Sequence, residues 1–340
     1  VAKPTGKECS ADPSGFCVRR SRFAVASEVP ATLLIPSFAK VNLALAVSPP
    51  EPAMTPQRDK NPRAGWHRIS SLFSCIGLSD ELALTPLASG LSRFTVRWAD
   101  DAPSPSEIDW PIEKDLVFRA HSMVEDLAGR ELPVEAVLAK RIPVGGGMGG
   151  GSSNGAAMLR GLASLFHLDP ALLTGIAAKL GSDVSFFLDT ERDLAEPARP
   201  ALVEGFGDRI KRRGPIAGNI ILICPRISCP TPEVYRAFDR WLVEHPGFCF
   251  RDAEARSLFE SEGAMDSRAL FNDLAEPAFA VASELRQIHA AASRVLSPIH
   301  VTGSGSTLFA LARAAENPAE VASLRAELSS KATVIATTLC

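Results

Sequence analysis

From Lys140 to Asn154 the chain reads Lys-Arg-Ile-Pro-Val-Gly-Gly-Gly-Met-Gly-Gly-Gly-Ser-Ser-Asn, and no other stretch restricts the fold so strongly. Glycine takes backbone conformations closed to other residues and lets another group approach the main chain. Before this run, Val134–Lys140 alternates like a strand; after it, Gly155–Phe166 has helical spacing, with Ala157, Leu159, Leu162 and Leu165 apolar. Inward-pointing N–H groups and the positive end of a helix together make a cradle for an anion. The expectation is a strand–loop–helix unit that binds phosphate. A flexible linker would not stand between two periodic segments.

Two familiar phosphate-loop patterns fail here. Gly145, Gly147 and Gly150 fit the spacing of a dinucleotide-binding loop, but Lys140, Arg141 and Pro143 do not suit the buried parallel strand it requires. The acid at the right distance, Asp169, follows a helix and precedes a proline instead of ending a second strand. That sets back a nicotinamide oxidoreductase. The Walker loop needs Lys beside Ser or Thr after its last glycine, whereas Gly151 is followed by Ser152 and Ser153.

Elsewhere the chain alternates mixed elements. Ala31–Val47 has strand-like alternation, and Ser48–Ala64, rich in proline, reads as a surface loop. A helix or extended segment is expected around His67–Cys75, strands near Asp80–Pro86 and Arg93–Ala99, and a helix at Leu116–Ala128. Asp169-Pro170 opens a further helix that Gly181 ends. Past Gly214 the pattern restarts with a buried strand at Asn219–Cys224. Helices follow at Pro232–Glu244 and Leu274–Ala292, then a strand at Ile299–Val301 and a second glycine-rich turn, Thr302–Thr307. This restart within 340 residues predicts two domains of α+β or α/β type, at 31–213 and 214–340, behind a polar, flexible extension at 1–30.

Composition excludes several classes of function. A net charge of −3, from 36 basic and 39 acidic residues, gives no field that would gather nucleic acid. No apolar run approaches the ~18–20 residues of a spanning helix, so no membrane association is expected. Seven scattered cysteines without a Cys-x-x-Cys pair, and six histidines that do not cluster, disfavour structural zinc and a disulfide framework. Reduced thiols in a bacterial cytoplasm fit best; plastid stroma is the alternative if residues 1–30 form a transit segment, though Glu8, Asp12 and Glu28 sit poorly with that.

The loop Pro143-Val-Gly-Gly-Gly-Met-Gly-Gly-Gly-Ser-Ser153 resembles the central motif of the galactokinase, homoserine kinase, mevalonate kinase and phosphomevalonate kinase superfamily. Pro36–Leu45 is similar to its first motif and Val301–Phe309 to its third. Within it, Ala39–Leu43, Gly65-Trp66-His67, Gly149–Asn154 and Leu180–Val184 occur in the order found in the 4-diphosphocytidyl-2-C-methyl-D-erythritol kinase family. The resemblance implies a two-domain α+β kinase fold, a ribosomal protein S5 domain 2-like N-terminal part and a ferredoxin-like C-terminal part, with the active site in the cleft between them. It implies transfer of the γ-phosphoryl group of ATP, with Mg²⁺, to the 2-hydroxyl of the cytidyl substrate in non-mevalonate isoprenoid synthesis. The alternatives are a homoserine- or mevalonate-type kinase, or a nucleotide-binding relative without activity. Small molecules are the expected partners, and a monomer or homodimer the expected state.

Roles follow from the resemblance residue by residue. Asp183 is expected to accept the hydroxyl proton, and Lys40 to keep Asp183 ionised and orient the reacting groups. Pro143, Val144, Gly145, Gly146, Gly147, Met148, Gly149, Gly150, Gly151, Ser152 and Ser153 would hold ATP, Ser152 also touching Mg²⁺. Trp66 and Tyr235 would stack on the cytosine and His67 read its edge. Asn42 would reach the diphosphate or erythritol region, and Thr231 belongs to the Pro-Thr turn of that subsite. The chain departs from the family pattern with Trp66 in place of Tyr, Ser185 in place of Pro, Met148 in place of Leu, and Asp115 in place of Asn.

Overall fold

The computed structural model describes residues 31–54, 60–312 and 318–340, so the expected N-terminal extension lies outside the described residues. In chain order the elements are β1 (Leu33–Pro50), β2 (His67–Pro86), β3 (Arg93–Trp98), α1 (Leu116–Ala128), β4 (Val134–Lys140), α2 (Gly150–Phe166), α3 (Leu173–Leu180), α4 (Ser182–Phe187), β5 (Ala201–Gly205), β6 (Arg209–Arg212), β7 (Asn219–Pro225), α5 (Thr231–Glu244), α6 (Asp252–Glu260), β8 (Phe271–Asn272), α7 (Ala275–Val281), α8 (Ser283–Ser293), β9 (His300–Val301), β10 (Leu308–Ala312), α9 (Pro318–Leu328) and β11 (Ala332–Thr338). None of the described helices is long and apolar enough to cross a membrane.

The first sheet runs β3-β4-β2-β1-β8, with β5 and β6 continuing from the other half of β2. Its centre is the antiparallel pair β1–β2. Where separate segments were expected at His67–Cys75 and Asp80–Pro86, β2 is one 20-residue strand. β5 pairs with its first half and β4 with its second, so both halves keep their ladder bonds. A register shift opposite Phe38 and Ala39 leaves extra residues on β2, the geometry of a bulge that bends a long strand.

The alternation of β1 gives way to continuous burial from Ala39 to Ser48, because both faces of the strand are covered. Ala39, Val41 and Leu43 pack into the cluster shared with β7 and α6, while Lys40 and Asn42 face the other way. The second sheet, β11-β7-β10-β9, is antiparallel throughout. Ile220, Leu222 and Cys224 join the cluster on one face of β7, Ile221 and Ile223 the one under α5, α7, α8 and α9. Burial on two faces explains why Asn219–Cys224 reads as an unbroken apolar run.

Two helices differ from their expected bounds. Helix α2 begins at Gly150, inside the glycine run, so its first turn is made of Gly150, Gly151 and Ser152. The single helix expected over Leu274–Ala292 is broken at Ala282, which is extended (φ −127°, ψ 90°) between α7 and α8. Ala278 and Leu285 keep one-face spacing across the break, so apolar periodicity does not reveal it.

Candidate active site

Lys40 and Asp183 come from distant segments and meet at 3.4 Å between Nζ and Oδ2. Lys40 is 3% exposed in the centre of β1, whereas the Asp183 side chain, in the first turn of α4, is 29% exposed. Lys40 Nζ also donates to Asn42 Oδ1 at 2.8 Å and lies 4.7 Å from the centre of the Phe73 ring. A buried ammonium is costly unless paired; here an ion pair, an amide oxygen and a ring face hold it in one position.

Asn42 was expected to reach the substrate, but its amide is engaged within the protein. Its Oδ1 accepts from Lys40 and from Thr302 Oγ1 at 3.2 Å, and its Nδ2 donates to Ser71 Oγ at 2.9 Å. Its backbone N–H donates to Thr302 Oγ1 at 2.9 Å. The physical reason is burial: at 3% exposure every polar atom of the amide needs a partner, and the nearest are protein groups.

The glycine loop passes beside Lys40, whose backbone N–H donates to Met148 O at 2.9 Å. Gly145, Gly147 and Gly149 all have φ between 70° and 75°. At Gly147 a Cβ would lie 2.8 Å from both Gly305 O and Thr302 O. The two glycine-rich turns are therefore in backbone contact, and only glycine fits between them. Thr307 N donates to Gly146 O at 3.3 Å across the same junction.

A buried anchor lies beneath the loop. Asp80, fully buried, accepts from Lys140 Nζ (2.7 Å), Arg141 N (2.6 Å), Ile142 N (2.8 Å) and Asn154 Nδ2 (2.9 Å). It ties both ends of the glycine run to β2. Sequence reading missed Asp80, though strand parity carried the signal: it shares a face with Leu82 and Leu84, where an acid needs a reason.

Two cavities flank the loop. One, of about 330 Å³, is lined by Lys40, Asn42, Phe73, Ser152, Asp183, Thr231, Tyr235 and Ser304 among others. The second, of about 400 Å³, is lined by the loop from Pro143 to Ser152 and by Trp110, Lys114, Asp115 and Leu116 among others. They share Gly147, Gly149 and Ser152. Ser153 is instead buried in α2. No group of three or more His, Cys, Asp or Glu able to hold a metal occurs among the described residues.

The residues expected at the cytidine end are only partly together. Tyr235 lines the first cavity, its phenol pushed up to about 12 by burial and by the charge of Asp183. Thr231 Oγ1 and Ser304 Oγ are 2.8 Å apart on the same wall. His67 stands behind Tyr235, ring centres 5.1 Å apart, with Nδ1–H donating to Ser48 O at 2.8 Å and Nε2 3.4 Å from Asp239 Oδ1. Trp66 does not join them. It is 57% exposed and packs edge-on against Phe206, 5.9 Å away, outside the cavity wall. Successive residues of an extended chain point to opposite sides, so with His67 turned inward Trp66 turns outward.

Comparison with known proteins gives a family and several relatives. Residues 115–190 match the GHMP kinases N terminal domain family. The chain is 33% identical to the 4-diphosphocytidyl-2-C-methyl-D-erythritol kinase of Rhodococcus jostii, over 83% of this chain and 84% of that protein. It is 30% identical to the enzyme of the same name from Thermus thermophilus, over 73% of this chain and 80% of that protein. A crystal structure of 4-(cytidine 5'-diphospho)-2C-methyl-D-erythritol kinase superposes with a TM-score of 0.64 at 28% identity, covering 90% of this chain and 99% of that one.

Proposed function

Given that this chain belongs to the 4-diphosphocytidyl-2-C-methyl-D-erythritol kinase family of the GHMP kinases, we propose that Asp183 and Lys40 carry its phosphoryl transfer. The reaction is ATP-dependent phosphorylation of 4-diphosphocytidyl-2-C-methyl-D-erythritol, yielding its 2-phosphate and ADP. The observation that carries the assignment is the Lys40–Asp183 pair on the wall shared with the glycine loop.

In this mechanism the substrate's 2-hydroxyl lies in the first cavity beside the Asp183 carboxylate. As its oxygen attacks the γ-phosphorus in line, its proton passes to Asp183 and the bond to the β-phosphate oxygen breaks. Lys40, fixed by Asn42, holds Asp183 in place and offsets charge gathering on the transferred group. The N–H groups of Gly145–Ser152 take the phosphates. A bound Mg²⁺ would need only one or two oxygens from the protein beside those of the nucleotide phosphates. Ser152, on the cavity wall, would supply such an oxygen, and the ion would offset phosphate charge. Tyr235 and Thr231 take the cytidine end, His67 bracing the Tyr235 ring, and Asn42 acts through Lys40.

The test is ADP release by purified protein with ATP, Mg²⁺ and the cytidyl substrate, with mevalonate and homoserine in parallel. Turnover of the cytidyl substrate alone is the expected result. Turnover of another alcohol would remove the cytidine subsite, and no turnover of any would remove the catalytic reading.

A further inference from the structure

Nothing in that mechanism uses Asp273, a buried acid between β8 and α7. We propose that Asp273 is a positioning residue for the acceptor: by fixing β1 against the start of α7, it sets the wall on which the cytidyl substrate lies. The inference rests on reading the first cavity as the acceptor's site.

Strand β8 is two residues long, and its parallel pairing with β1 ends at Leu45 and Asn272. The chain then leaves the sheet to begin α7 at Ala275. In a regular parallel ladder the next residue would donate to Leu45 O and accept from Val47 N with its own carbonyl. Asp273 makes the first of these bonds in the ordinary way, its N donating to Leu45 O at 2.9 Å. It makes the second with its side chain, Oδ2 accepting from Val47 N at 3.0 Å. The carboxylate replaces a backbone carbonyl, and the main chain is free to turn. Val47 is fully buried, so its N–H has no water to turn to.

Asn272 completes the bracket. Its Oδ1 accepts from Leu274 N at 2.8 Å, while its Nδ2 holds Val301 O and Gly303 O. Arg251 steadies the acid, with Nη1 3.6 Å from Asp273 Oδ1 and its guanidinium 3.7 Å from the centre of the Phe271 ring. Arg251 Nε also donates to Glu254 at 3.0 Å. Asn272 and Asp273 together join β1, the start of α7 and the turn before β10.

These three segments form part of the first cavity's wall, through Leu45, Leu274 and Gly303. Leu45 and Leu274 belong to the cluster against which Tyr235 packs. Leu45 stands roughly 16 Å along β1 from Lys40 at the rise of an extended strand. A shift of β1 relative to α7 would therefore displace the wall under the substrate while Lys40 and Asp183 keep their pairing.

Steady-state kinetics and melting curves on the full chain test this. Asp273→Ala should raise the KM for the cytidyl substrate roughly tenfold, as for losing one buried hydrogen bond, with kcat and the KM for ATP nearly unchanged. Asp273→Asn keeps an acceptor oxygen at the same reach from Val47 N and should restore that KM. Asp273→Glu keeps the charge for Arg251 but carries the carboxylate one methylene further, and should not restore it. If the alanine variant fails to fold, the Asn and Glu variants decide alone.

An acceptor KM unchanged in the Glu variant, or restored by Glu and not by Asn, would overturn the positioning role and leave only the charge. A lower Tm with unchanged acceptor KM would make Asp273 a stabilising residue and nothing more. Tyr235→Ala, a change in the same cavity, separates the two readings. If it too leaves the acceptor KM unchanged, the cavity is not the acceptor's site; if it raises that KM and the Asp273 variants do not, this inference alone fails.

Discussion

Lys40 and Asp183 differ in exposure: the ammonium is enclosed, while the carboxylate keeps an open side toward the cavity. Asp183→Asn keeps the shape but cannot accept the hydroxyl proton, so kcat should fall at least ~10²-fold with the KM for ATP nearly unchanged. Steady-state kinetics decide this, and wild-type turnover would remove Asp183 from the base role. Gly147 has a different vulnerability, since its φ of 75° and the two carbonyls at 2.8 Å both act against a side chain. Gly147→Ala should cost about 2 kcal/mol or more of stability and weaken ATP binding, seen as a lower Tm and a higher Kd. The motif made glycine expected at 147, but the sequence did not say that Gly305 O and Thr302 O are what exclude the side chain, because that contact joins residues far apart in the chain.

At the scale of elements, the segment between α4 and β5 is a loop closed by one buried acid. Asp189 is 3% exposed and receives Arg199 Nε and Nη2 at 2.9 Å and Arg199 N at 3.0 Å. Burial would raise its pKa, but these hydrogen bonds and the charge of Arg212 outweigh burial and hold it at about 2. That is below the ordinary value of 3.8, so the pair's stabilisation is complete above pH 3.8 and is lost as pH falls toward 2. At neutral pH it is on the order of 2 kcal/mol. Arg199→Met should therefore lower the Tm at pH 7, with the gap to wild type closing near pH 2–3; a gap independent of pH would mean lost packing instead. Helix α1 and strands β3, β4 and β7 were legible because each presents a simple period to a core. The split at Ala282 was not, because the apolar pattern runs through it without a change of phase.

For the whole molecule, the decisive contact joins the first sheet to the turn before β10. Thr302, fully buried, accepts from Asn42 N and donates to Asn42 Oδ1, and Asn42 holds Lys40. Asn272 Nδ2 steadies the same turn by donating to Val301 O at 2.7 Å and Gly303 O at 2.8 Å. Thr302→Val leaves the Asn42 N–H without its partner, a loss of about 1–3 kcal/mol, and should lower kcat more than it changes either KM. Thr302→Ser should restore kcat, which a purely steric role of the methyl would not allow; kinetics and melting curves of both variants check this. The amino-acid sequence by itself determined the glycine run at Gly145–Gly151, the strand and helix around it, and the family to which the chain belongs, since these rest on local spacing and on motifs read in order. Tertiary structure alone decided that Asp80 anchors the loop, that Asn42 faces Lys40, that Trp66 packs on Phe206 in an exposed position, and that Trp110 lines the second cavity. Local periodicity records which residues are apolar. The partner of a buried polar group is fixed only when segments hundreds of residues apart are packed together and each donor must find an acceptor.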